Sequence, residues 1–359
     1  MPYYVRVGDV PKKRHLVHKD AGGRYAEELV SQAGFSASSS LLYHRHSPSA
    51  LVSVRAMDVQ RAAPSPNVSL EPLHLRLPDL DTSEDPVLGR HVLAGNQEVT
   101  ICWARARGSS PMYRNAAGDE LAFVHEGRAT VESVFGSLEV GPGDYVLVPA
   151  ATTHRWRVDP GVELSVLVLE AVGHIETPSR YLTPGGQLRE GAPYSERDLR
   201  VPVGPLLSDG GATEVVVRHR AGWACHTPAD HPFDVVGWDG CVYPYALSIH
   251  DFEPIVGRLH QPPPVHQTFA GRGFVVCSFV PRPLDFDPDA VPIPYHHSNV
   301  DSDEVLFYVD GDFSSRHGAG IRAGSLTLHP AGFVHGPQPG AVEAALGKAR
   351  TDETAVMVD

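Results

Sequence analysis

From Leu51 onward, apolar and polar positions alternate or gather into short β-branched runs: VSVRAMDVQ, EVTICWARAR, ELAFVHEG, ATVESVFG, YVLVPA and VELSVLVLE. After an interval the same kind of run returns as DVVGW, FEPIVGRLH, GFVVCSFV, EVLFYVDG, GSLTLHP and AVMVD. Each is short and closes on Gly, Pro, Asp or Asn, the pattern of antiparallel strands in a sandwich or barrel. Only two short helices are expected, one over Arg24–Gln32 and one over 342–349. The fold class that follows is all-β.

Composition agrees with many strands joined by turns, since the chain carries 34 glycines and 32 prolines. They crowd the stretch 171–230, which reads as an irregular linker between an N-terminal unit, 1–170, and a C-terminal unit, 231–359. The net charge of −13, from 30 Lys+Arg against 43 Asp+Glu, comes without a basic stripe and argues against a nucleic-acid partner. No apolar run reaches the ~18 residues of a membrane-spanning helix, so no membrane partner is expected. MPYYVRVGDVPKKRH lacks the apolar centre of a signal peptide. Four cysteines with no CxxC pair read as reduced thiols, hence a cytoplasmic protein. Twenty histidines are more than packing calls for and raise metal chemistry.

An internal repeat sharpens that possibility. In the C-terminal half, His297-Ser-Asn299 is followed by four residues and Glu304, then six and Gly311. Gly324, five residues, Pro330-Ala-Gly332, two residues and His335 complete the pattern. It resembles the two-part motif of the cupin superfamily, whose small jelly-roll barrels hold a metal near the axis. Two imidazoles and one carboxylate on one face leave open metal positions, the arrangement that suits non-haem Fe(II), although Mn, Ni or Zn can take the same ligands. The N-terminal half repeats the frame with a part missing. Glu120, Gly127, Gly143, Pro149-Ala-Ala151 and His154 stand in register, but Tyr113-Arg114-Asn115 occupies the place of the first imidazole. The expected architecture is a bicupin with a degenerate N-terminal barrel, a metal-binding C-terminal one and few short helices.

GDVPKKRH, GFSASSSLLYHRH, HPFDVVGWDGCVYPY, FVVCSFVPR, PYHHSN and GSLTLHPAGFVHGP together resemble the homogentisate 1,2-dioxygenase family. That family opens the ring of an acid-bearing hydroquinone with Fe(II) and O₂, on an oligomeric two-part β fold. The resemblance implies iron ligands at His297, Glu304 and His335, and a substrate contact at His329. It also implies a small aromatic substrate, O₂ as co-substrate and a homo-oligomer. The family's Trp-His-Gly-Asn segment, whose His is taken as acid/base, is matched by Trp238-Asp239-Gly240-Cys241. Asp239 would then accept a proton from the ring hydroxyl and favour a neutral or amine-bearing ring. The other reading of Asp-Gly is a tight turn. His297 and Glu304 are also one residue further apart than in the family.

His296 and His297 face opposite ways if they lie on a strand, so only one can reach the metal, and the spacing to Glu304 favours His297. His260, His266 and the prolines at 262–264 suggest a rigid loop near a pocket mouth. Cupin barrels also serve as isomerases and non-catalytic binding modules. A shortage of Lys near 290–340 counts against a sugar isomerase, and an open His/Glu/His site counts against a pure binder.

Overall fold

The computed structural model describes residues 3–313, 316 and 320–359. Among them the β class holds, with three seven-stranded sheets, one four-stranded sheet and two small ribbons. The N-terminal barrel has one sheet built on Val99–Ala106, Glu120–Glu126, Asp144–Val148 and Leu164–Ala171. Its facing sheet contains Met112–Asn115, Ala129–Ser133, Gly136–Val140 and His154–Arg157. Tyr113, Val131, Val146, Trp156, Val166 and Val168 fill the space between them.

The C-terminal sheet runs Gln267–Gly271, Phe274–Phe279, Thr354–Val358, Glu304–Asp310, Ser325–His329 in spatial order. Strand alternation divides its work. Val305 and Phe307 point back onto the N-terminal barrel, where Phe307 meets Trp103 at 5.6 Å and Phe123 at 6.3 Å between ring centroids. Leu306 and Tyr308 point the other way and pack with Cys277, Phe313, Ala355 and Met357. Both faces are buried, which is why EVLFYV reads as an unbroken apolar run. The repeat is visible in the backbone. Gly127 and Gly311 end matching strands with φ of 81° and 99°. A Cβ on either would strike a carbonyl oxygen, of Glu163 or Asp352, so both positions need glycine.

Three expectations change. Arg24–Gln32 forms no helix. Ala26–Ser31 is a strand paired with Ser39–His44, and the buried Leu41, Leu42 and Tyr43 of its partner outweigh the weak helical preference of RYAEELVSQ. FEPIVGRLH is a loop after the 3₁₀ turn Ile249–Asp251, and Pro254 and Gly257 break its apolar run. The stretch 171–230 is more than a linker. Val215–His219 lies parallel to Met112–Asn115, and Gly222–Pro228 extends the same N-terminal sheet. Sheet membership crosses the expected boundaries elsewhere too. Leu73–Arg76 pairs with Ser325–His329, and Val235–Gly240 lies between Val5–Gly8 and Ser39–His44. The short helix near 342–349 is present as Ala341–Ala345. No helix of the described residues is long and apolar enough to cross a membrane.

Candidate metal centre

Two cross-strand pairs build the site. The His297 N–H donates to the His335 carbonyl at 2.8 Å, and the His335 N–H returns the bond at 2.9 Å. Partners in such a pair send their side chains to one face. Glu304 and His329 stand opposite one another on neighbouring strands. The pairs meet so that one ligand atom each of His297, Glu304 and His335 lies within 4.8 Å of the others. His297 Nε2 is 3.4 Å from Glu304 Oε2, and His335 Nε2 is 3.4 Å from Oε1.

Backbone carbonyls fix which imidazole nitrogen is bare. His335 Nδ1 donates to the Phe333 carbonyl at 2.9 Å, and His297 Nδ1 donates to that of Tyr295 at 3.3 Å. Each ring therefore turns an Nε2 lone pair toward Glu304, in the tautomer a metal needs. His335 Nε2 is buried without a hydrogen-bond partner. An orphaned acceptor of that kind costs free energy unless something binds it. The donor set fits a divalent cation of the first transition row.

His329 plays a different part. Its ring stacks on His335 at 4.4 Å, and its Nδ1 donates to Glu304 Oε1 at 3.0 Å. Burial pushes the Glu304 carboxyl up, but the adjoining His297 and His329 rings and the nearness of His335 outweigh it. Together they hold the group well below the usual carboxylate range. The adjoining Glu304 carboxylate raises His297. His296 faces away, its Nε2 near the Pro337 carbonyl at 3.2 Å.

The structure does not bring Asp239 to this group. It lies within the strand Val235–Gly240 rather than in a turn, and its Oδ1 accepts from Arg14 Nε at 2.7 Å. A second Arg14 nitrogen donates to the Asp239 carbonyl oxygen at 3.1 Å. The buried carboxylate is neutralised where it sits, and it is not on the wall of the cavity beside Glu304.

That cavity, about 320 Å³, opens beside His297 and Glu304 and is walled by His260, Pro263, His266, Phe279, Tyr295 and Met357. The proline-histidine loop thus borders the pocket. Burial brings His266 down to about 3, so it is neutral, and its Nδ1 has no partner.

In the N-terminal barrel the corresponding place is filled by protein. Arg90, buried, meets Glu120 at 3.0 Å and Glu170 at 2.8 Å. Tyr113 and Asn115 donate to the other oxygen of Glu120 at 2.7 and 2.9 Å. A guanidinium stands where a metal cation would be, and burial keeps His154 neutral. The spacing of the motif contains no sign of Arg90, which arrives from a loop upstream of Glu120.

Residues 103–170 match the family model for the cupin domain. Along its whole length the chain is 41% identical to 93% of a protein of Saccharolobus solfataricus named "Putative dioxygenase". It is 26% identical over 74% of its length to the homogentisate 1,2-dioxygenase of Emericella nidulans, and 27% over 65% to that of Mus musculus. It spans 62% of the first of these two enzymes and 53% of the second.

Proposed function

Because this chain belongs to the cupin dioxygenases that include the homogentisate 1,2-dioxygenases, we propose that it is a non-haem Fe(II) dioxygenase opening the ring of a hydroquinone-type aromatic. The observation that carries the reading is the bare, buried Nε2 of His335 facing Glu304 and His297. Fe(II) in that place supplies a Lewis acid for a ring hydroxyl and a one-electron redox partner for O₂. Everything else falls to the chain. Two imidazoles and one carboxylate would offset one of the two positive charges of such an ion, and the charge left over would favour the ionised form of a ring hydroxyl beside it. His329 keeps its proton on Nδ1 and holds Glu304 Oε1, so it positions the carboxylate. His297, the half-buried ligand, forms the open side toward the cavity. The apolar wall of Ile293, Leu306 and Met357 keeps water from the ring face.

Oxygen uptake by the Fe(II)-loaded protein with a panel of para-dihydroxy aromatics tests the reading. The expected result is a ring-opened acid carrying both atoms of ¹⁸O₂. A panel that gives no uptake, or a product without label, would overturn it.

A further inference from the structure

The cavity is longer than a single-ring acid needs, and its two ends differ in chemistry. Glu304, Leu306 and Tyr308 lie on one face of their strand, and Leu306 pairs with Met357 and Tyr308 with Ala355 on the neighbour. At about 3.4 Å per residue, the level of Tyr308, Ala355 and Phe279 lies about 13 Å along the barrel from Glu304. Leu306, Met357 and Phe279 make the middle apolar. Arg282 follows three residues after Phe279, on the short strand Arg282–Pro283, and lines the far end of the same cavity.

Arg282 is the unusual group there. It is partly buried, and one Nη donates to the Val280 carbonyl at 3.2 Å. Burial works against its charge, and the nearby carboxylates of Glu353 and Asp285 offset that only in part, neither forming an ion pair with it among the described residues. Neighbouring cations are occupied: Arg316 donates to the Tyr308 hydroxyl and the Gly336 carbonyl, and Arg350 pairs with Asp352. Glu353 also lines this end, and burial lifts it to about 6. It therefore gives up part of its charge in slightly acidic solution. A guanidinium always carries its charge and presents five donors in a planar fork suited to a carboxylate.

We propose that Arg282 anchors the carboxylate of a substrate whose oxidisable ring lies at His297, Glu304 and His335. The substrate class is then an aryl acid whose carboxylate stands on a spacer longer than one methylene. The inference rests on the dioxygenase reading for the ring and on the cavity alone for the tail.

Calorimetric binding to the Zn(II)-loaded protein separates the two, because it needs no turnover. The probes are 2,5-dihydroxyphenyl acids with one, three or five methylenes before the carboxylate, and the primary amide of the longest. The five-methylene acid is expected to bind at least tenfold more tightly than the one-methylene acid and than its own amide. Arg282→Ala should weaken the long acid about ten- to a hundredfold, the range of a charge-assisted hydrogen bond. It should leave the amide unchanged, while Arg282→Lys restores part of the loss. Equal binding of long acid and amide by the unaltered protein would overturn the proposal without recourse to a variant. So would an Arg282→Ala protein that binds the long acid normally. Absence of oxygen uptake with Fe(II) would instead count against the dioxygenase reading.

Discussion

Arg90 lies 3.0 Å from Glu120 in the N-terminal barrel, in the place where Glu304 of the C-terminal barrel faces two bare imidazole nitrogens. One barrel sets a side-chain cation against its glutamate, and the other sets imidazoles there. The guanidinium also holds Glu170, which Arg61 and Arg218 approach at 2.8 and 2.9 Å. Removing one member of such a buried network strands the others. Arg90→Met is expected to cost about 3–5 kcal/mol, read by chemical denaturation. A loss under ~1 kcal/mol would show that Glu120 and Glu170 are satisfied without it.

Metal content distinguishes the two barrels directly. Elemental analysis of the reconstituted protein is expected to give about one ion per chain. His335→Ala should empty the site, and His154→Ala should keep it full. Glu304→Gln, which keeps the shape and removes the charge, should weaken binding at least tenfold. An empty His154→Ala protein would move the site to the other barrel.

The place of Asp239 sets a third expectation, the reverse of the one its position in the sequence suggests. With Arg14 at 2.7 Å it is expected to act on the fold rather than on a substrate. Asp239→Asn should leave kcat/KM of oxygen uptake within about twofold, while Arg14→Ala lowers the melting temperature by several degrees. A hundredfold fall in kcat for Asp239→Asn at unchanged stability would return it to the reaction.

A buried imidazole supplies a pH dependence. His44 lies between Asp234 at 2.7 Å and Glu28 at 3.0 Å. Burial alone would lower it, but hydrogen bonds to the two carboxylates outweigh that and lift it to about 9. A folded-state value above the unfolded ~6.5 stabilises the fold fully below pH ~6.5. That contribution, on the order of 2–3 kcal/mol, is lost as pH rises toward 9. Denaturation midpoints measured from pH 6 to 9.5 should fall in the unaltered protein. They should fall distinctly less in His44→Gln.

What could be read from the sequence follows the range of each signal. That His297, Glu304 and His335 meet was legible because they lie on two neighbouring segments tied by turn glycines and a proline. Local chemistry dictates that geometry. The strand Glu304–Asp310 was legible from its short apolar run closed by Asp and Gly. Arg90 left no trace because its partners, Glu120 and Glu170, come from other strands. Asp239 misled because its partner is 225 positions away. The segment Arg24–Gln32 looked helical in isolation and became a strand because Ser39–His44 offered a buried edge to pair with. Arg282 was silent as well, since its place on the cavity wall depends on strands distant in sequence.

The strand Leu73–Arg76 has a consequence for how such a protein can be inherited. It forms the edge of the C-terminal sheet, beside Ser325–His329, and His74 Nε2 lies 3.0 Å from the Ser325 hydroxyl. A recombination event that exchanged only the last third of the gene would set the candidate site of one parent against the edge strand of another. Where the two did not match, amide and carbonyl groups on the flank of His329 would be left open. Crossovers that spare function must keep the early segment and the late barrel from the same parent. The two ends of this chain are expected to travel together in descent, although nothing in their linear order joins them.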